Sequence, residues 1–187
     1  MSLSILSDPR LEVMLPRIDE DLAEEARVEG CRFCGGRLDR ARYPRKPRAV
    51  VELGAAFRKR ESFCCAEETC RRRTTPASVR FLGRRVYLGV VVVLVSALVQ
   101  GVTGGRLREL RSKLGIDRRT LERWRRWWRE SFPLTRFWRA ARARFLPPVA
   151  EGDLPRSLLQ RFVPQVLEGI LAALRFLAPI SIPTLAP

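Results

Sequence analysis

Two close cysteine pairs in a chain that contains no histidine constrain this sequence more than any other feature. Cys31-Arg-Phe-Cys34 runs into Gly35-Gly36, and farther along Cys64 and Cys65 stand side by side ahead of Cys70. Two residues between paired cysteines let both thiolates face one ion, and tetrahedral zinc takes four such ligands. Without histidine, four cysteines are the only zinc set the chain offers. Spacing selects Cys31, Cys34, Cys65 and Cys70, because an interval of four residues lies within known ligand spacing whereas Cys64 would require five. Cys64 is expected on the opposite face as a small buried apolar residue. Gly35-Gly36, Pro44 and Pro47 break residues 31–80 into runs too short to hold a core, which a bound metal would staple. These residues are therefore expected to form a zinc-ribbon-like domain, with Zn2+ as the cofactor.

The same absence removes histidine general bases, Cys–His dyads and Ser–His–Asp triads. Redox catalysis by Cys31 and Cys34 would want a thioredoxin-like βαβ setting, and none surrounds them. The N-terminus lacks the basic region of a secretory signal, so a reducing, cytoplasmic location is expected, where paired cysteines hold metals more often than they form disulfides.

Beyond the cysteines, residues 81–146 read as helical. Val86–Val99 is an apolar run of 14 residues, short of the roughly 20 a spanning helix needs, and is assigned to a buried core helix despite its β-branched composition. Gly101, Gly104 and Gly105 predict a turn. Arg106–Leu114 then reads as a short helix, Gly115-Ile116-Asp117 as a tight turn, and Arg118–Glu130 as a longer helix ending before Pro133. Leu107, Leu110 and Leu114 share one face. Gly115 sits where a left-handed residue is required, Ile116 plugs the gap and Asp117 caps the second helix. Leu121, Trp124 and Trp128 should face inward, leaving Trp127 as the only exposed tryptophan of the cluster. Arg118, Arg119, Glu122 and Arg123 would then point outward, where they can reach base edges in a major groove: arginine bonds guanine O6 and N7 together, and a carboxylate can accept from cytosine N4. Arg125, Arg126 and Arg129, with Arg71, Arg72 and Arg73 after the last cysteine and the basic helix Thr135–Phe145, suit phosphates.

Charge supports a polyanionic partner. The net charge is +16, and residues 1–30 hold eight acids against three arginines, a net of −5 that leaves about +21 for the remainder. Such a field attracts DNA or RNA over a Debye length. Residues 1–30 form an acidic helical preface, expected to break at Pro16 and close at Gly30. Residues 147–156 read as a Pro-rich linker. Residues 157–187 carry Leu158, Leu159, Phe162, Val163, Val166, Leu167, Ile170, Leu171 and Leu174 at three- and four-residue intervals, one amphipathic helix interrupted near Pro164 and suited to homodimerisation.

The Cys-x2-Cys knuckle, a second cysteine pair trailed by Cys70-Arg71-Arg72-Arg73-Thr74-Thr75-Pro76, and Leu-Gly-Ile-Asp-Arg-Arg-Thr-Leu-Glu-Arg-Trp at 114–124 together resemble the small DNA-binding proteins and N-terminal modules of bacterial insertion-sequence transposases. The resemblance spans about residues 31–130. It implies a zinc ribbon and helix–turn–helix that bind an element's ends beside a separate catalytic domain. Two features depart from it: the second pair is spaced by four, and Arg111 stands where a small residue is usual. An RNase-H-like nuclease needs three carboxylates on a sheet, and after Glu130 only Glu151, Asp153 and Glu168 remain, in a linker and a helix. The expectation is a mainly α, non-enzymatic, nucleoid-associated protein. It would bind double-stranded DNA as an accessory or regulator of a transposable element, with a transposase as its partner and no membrane attachment. A zinc-ribbon transcription regulator, or a protein contacting structured RNA or RNA polymerase, is the alternative.

Overall fold

A computed structural model gives the fold, describing residues 5–6, 8–45, 57–81, 88–98, 104–162 and 167–182. Helix α1 (Pro9–Glu29) begins where the Asp8 side chain accepts from the Arg10 N–H, with Pro9 pre-set for the first turn. Leu11, Leu15, Asp19 and Ala23 recur every four residues along its buried face. The expected break at Pro16 does not occur: the helix runs through it. An interior proline costs about 3 kcal/mol or more, and burying Leu11 and Leu15 returns roughly 1.5–3 kcal/mol each. Gly30 ends α1 at φ +80°, and a Cβ there would lie 2.8 Å from the Gly35 carbonyl oxygen, so the helix abuts the first cysteine turn directly.

Among the described residues five short strands follow. β1 (Leu38–Arg40), β4 (Phe63–Cys65) and β5 (Arg73–Thr74) form an antiparallel sheet in the order β1-β4-β5, with Leu38 opposite Cys65 and Cys64 opposite Arg73. β2 (Tyr43–Pro44) pairs with β3 (Lys59–Arg60). A small cluster of Ala23, Cys31, Leu38, Phe63 and Cys65 lies between this sheet and α1.

The rest of the described chain is helical. α2 (Gly89–Leu98) is the centre of the main core, and its residues Val90 to Val95 are at most 3% exposed. A helix that is apolar on every side belongs in an interior, which is why packing overrides the strand preference of valine here. Residues 86, 87 and 99 of that run lie outside the described residues. α3 (Gly104–Leu114) and α4 (Arg118–Arg126) follow; Gly104 and Gly105, expected in a turn, open α3, and Gly101 lies outside the described residues. The helix expected to reach Glu130 leaves α geometry after Arg126, passing through a π turn (Trp127–Ser131) and a 3-10 turn (Phe132–Leu134). α5 (Arg136–Ala141) is capped by Thr135 Oγ1, which accepts from the Trp138 N–H.

Residues 147–156, read as a linker, alternate exposed positions such as Pro147, Pro148 and Gly152 with positions that touch the core. Val149 and Leu154 are buried, and the Trp138 indole donates to Glu151 at 2.8 Å. The single C-terminal helix resolves into α6 (Arg156–Leu159) and α7 (Leu167–Leu177). The apolar stripe of α7 (Leu167, Ile170, Leu171, Ala173, Leu174, Leu177) is buried against the chain's own α2 and α6. Among the described residues no single helix is long and apolar enough to cross a membrane. The bent pair Arg156–Phe162 and Leu167–Ser181, at 120°, has the length and composition only when taken together, and much of it is core.

A buried charged node ties these parts together. Asp19 accepts from Ser78 Oγ at 2.6 Å, the Val79 N–H at 2.7 Å and Arg80 Nε at 2.7 Å. Arg80 also donates to the carbonyls of Phe57 and Lys59. Beside it the buried Arg60 donates to the Pro76 carbonyl, and Ser181 Oγ accepts from the Ser78 N–H at 2.8 Å. Burial pulls the Arg60 pKa down, against the attraction of Asp19. α1, the strand region and the C-terminus therefore meet on one set of hydrogen bonds.

Candidate metal centre and basic helix

Four sulfurs converge at the end of the sheet. Cys31, Cys34, Cys65 and Cys70 place their Sγ atoms within 4.8 Å of one another, with Cys34 to Cys65 at 3.4 Å and Cys31 to Cys70 at 3.7 Å. Ligands about 2.3 Å from a tetrahedral ion stand about 3.8 Å apart, so the cluster is close to the size a zinc-like ion requires. All five cysteines are free thiols.

Local backbone explains both halves of the site. In the first turn the Cys34 and Gly35 N–H groups donate to the Cys31 carbonyl, at 3.2 and 2.6 Å, with Gly35 at φ +74°. The second turn repeats the pattern: the Cys70 and Arg71 N–H groups both donate to the Glu67 carbonyl at 3.0 Å, with Arg71 at φ +44°. Residues 67–70 are thus the same turn as 31–34, with Glu67 standing where the first cysteine would be. The missing ligand comes from two residues earlier, on β4. Strand alternation then decides between the adjacent cysteines: Cys65 faces the cluster and Cys64 faces away. Cys64 is half-buried, not fully buried as expected, and its thiol donates to the Arg71 carbonyl at 3.5 Å.

The electrostatics call for a cation. The Phe33 N–H, helped by that of Cys34, holds the Cys31 thiol down at about 7 against the opposing effect of burial. Burial pushes Cys65 up to about 12. Four thiolates in so small a space are unfavourable unless a divalent ion neutralises them, and a bound ion deprotonates a coordinating thiol outright. The donor set and its size fit a metal, with Cys31 and Cys65 buried, Cys70 half-buried and Cys34 exposed.

The second candidate surface is α4. α3 ends on a left-handed glycine, Gly115 at φ +60°, whose N–H donates to the Arg111 carbonyl at 3.1 Å. Ile116 is fully buried, and Asp117 caps α4 by accepting from the Thr120 N–H at 2.6 Å. That N–H holds the Asp117 carboxyl below the usual carboxylate range. Leu110, Leu121, Trp124 and Trp128 are buried, whereas Leu107, Leu114 and Trp127 are half-buried. Arg111 is exposed.

Arg118, Arg119, Glu122, Arg123, Arg126 and Arg129 are exposed, and Arg125 is half-buried. Arg118 and Glu122 are already joined by an ion pair at 2.8 Å, a link the residue pattern did not disclose. Arg119, Arg123, Arg126 and Arg129 have no side-chain hydrogen bond or ion pair among the described residues. Arg71, Arg72 and Arg73 are exposed beside the cysteine cluster. Sequence reasoning missed Phe33, whose ring lies under Arg32 and Arg72, and Asp19, which it only counted among the eight acids of residues 1–30; a buried face at four-residue spacing in α1 was the available signal. No family model, curated protein or solved structure matches the chain.

Proposed function

We propose that this chain is a zinc-stapled DNA-binding protein with no catalytic centre of its own. In this reading the four cysteines hold Zn2+ as a structural ion, making the 31–80 region a zinc ribbon. α3 and α4 act as a helix–turn–helix, with α4 entering the major groove of double-stranded DNA. Arg119 and Arg123, unpaired on the exposed face, contact base edges, and Arg118 and Glu122 do so once their ion pair opens or bridges two bases. Arg125, Arg126 and Arg129 neutralise phosphates. The single observation that carries the reading is α4 itself: a capped helix whose opposite face is locked in the core by Leu121, Trp124 and Trp128 and whose exposed face is arginine.

The resemblance noted in the sequence extends this to an accessory or regulatory role at the ends or promoter of a mobile element, with a transposase as partner. Homodimerisation through the C-terminal stripe would have to use other residues than Leu158, Leu159, Leu167, Ile170, Leu171 and Leu174, which are buried within the chain; Val163 and Val166 lie outside the described residues. The test is competition binding of the zinc-loaded chain to a library of duplexes, random duplex and structured RNA. Selection of a duplex motif, abolished in Arg119→Ala/Arg123→Ala, is expected. Equal affinity for all duplexes, or preference for structured RNA, would reject groove reading by α4.

A further inference from the structure

The Phe33 ring lies under two arginines, one from the first cysteine turn and one just after the second. The guanidinium carbon of Arg32 is 4.9 Å from the ring centroid and that of Arg72 is 4.6 Å. The ring itself packs against the cluster that contains Cys31 and Cys65, so the folded knuckle fixes its position. A guanidinium over a ring uses its face for the contact and leaves its in-plane N–H donors free to bond elsewhere. Among the described residues those donors have no carboxylate, carbonyl or hydroxyl partner on either Arg32 or Arg72. Arg37, on the same knuckle, is already taken by Asp39 at 3.0 Å. Glu67 and Glu68, exposed on the facing turn, ion-pair with neither stacked arginine.

We infer that Arg32, Phe33 and Arg72 form a phosphate clamp for the backbone of DNA, distinct from the α4 surface. The inference rests on the DNA-binding reading above and assigns it a second point of attachment. Guanidinium forks match phosphate oxygens in a bidentate manner. Stacking has already removed the rotamer freedom that a loose surface arginine would lose on binding, so the pair is pre-organised. Backbone phosphates are the same in every sequence, so the clamp holds without selecting, and selection stays with α4. Binding is bipartite: one attachment depends on sequence, and the other depends only on the fold of the knuckle.

The experiment measures affinity of the metal-loaded full chain for a random-sequence duplex across a series of salt concentrations. Removing one arginine–phosphate pairing lowers the slope of log K against log salt by about 0.9. Arg32→Gln/Arg72→Gln is expected to lower it by about 1–2. Arg37→Gln, the same kind of charge change at a paired arginine, leaves the slope as it was. Phe33→Leu keeps every charge and still weakens binding, because both forks lose their platform. Metal stoichiometry and circular dichroism at wild-type values qualify each variant as folded. A wild-type slope in the folded double variant overturns the clamp and leaves the α4 reading standing. So does an Arg37→Gln reduction as large as that of one stacked arginine, or a Phe33→Leu affinity equal to wild type. Failure of the wild-type chain to bind any duplex is the different result that removes the DNA reading itself.

Discussion

Asp19→Ala is predicted to be among the most damaging single changes in this chain, although the residue sits in a helix whose sequence reads as an acidic surface. Its carboxylate is 1% exposed and faces the 3% exposed Arg80 side chain at 2.7 Å. Truncation leaves the Arg80 guanidinium buried without its carboxylate, held by neutral groups such as the Phe57 and Lys59 carbonyls, and also strips Ser78 Oγ and the Val79 N–H of their acceptor. Removing one partner of a buried ion pair costs about 3–5 kcal/mol. Against a total stability of about 5–15 kcal/mol that is about a fifth of the fold or more. For a chain of this length each kcal/mol corresponds to about 2–4 °C, so the midpoint should fall by roughly 6–20 °C.

Urea unfolding followed by the fluorescence of the buried Trp124, Trp128 and Trp138 measures this directly. A double-mutant cycle isolates the pair: Asp19→Leu and Arg80→Met each destabilise alone, and together cost less than their sum by about 2 kcal/mol, because an apolar pair strands no charge. Metal content of Asp19→Ala should stay at the wild-type value, since no cysteine touches the carboxylate. A destabilisation under about 1 kcal/mol, or strictly additive single effects, would mean that Arg80 is stabilised by carbonyls and water without Asp19.

The two cysteine turns and the α4 cap yield three more expected outcomes. Cys34→Ser and Cys65→Ser should each lower zinc stoichiometry, measured by atomic absorption, and Cys64→Ser should leave it complete; the reverse pattern would exchange the two adjacent cysteines. Arg71→Gly should stabilise the chain by about 1 kcal/mol in the same urea assay, because an L side chain resists the left-handed conformation that glycine adopts freely; a destabilised variant would show that the arginine side chain contributes more than the strain costs. Asp117 has a carboxyl pKa held below its unfolded value, so its contribution to the start of α4 is present above the unfolded pKa and is lost as pH falls through the folded one. An acid titration followed by helical circular dichroism should therefore lose less in Asp117→Asn than in wild type, since the amide caps without titrating.

What the sequence disclosed and what it hid divide along one physical line. Local rules found the knuckle, the left-handed Gly115, the Asp117 cap and the inward Leu121, Trp124 and Trp128, because each depends on residues within a few positions of one another. They also picked the four clustered sulfurs, through ligand spacing alone. Features that depend on distant partners stayed hidden. Pro16 could be survived only because Leu11 and Leu15 bury against a core supplied much farther along the chain. Asp19 could be buried only because Ser78 and Arg80 wait for it about sixty residues later. The contacts of Val149, Leu154 and Glu151 within residues 147–156 stayed hidden for the same reason, since they come from tertiary packing. The net charge of +16 hides the same division: its acids are partly spent inside, on Arg80 through Asp19 and on Arg40 and Arg42 through the 5% exposed side chain of Glu61. Among the described residues the buried acids Asp19 and Glu61 are matched by the buried Arg60 and Arg80, so the exposed surface keeps the net basic charge, and the guanidiniums of α4 and of the Phe33 knuckle face solvent.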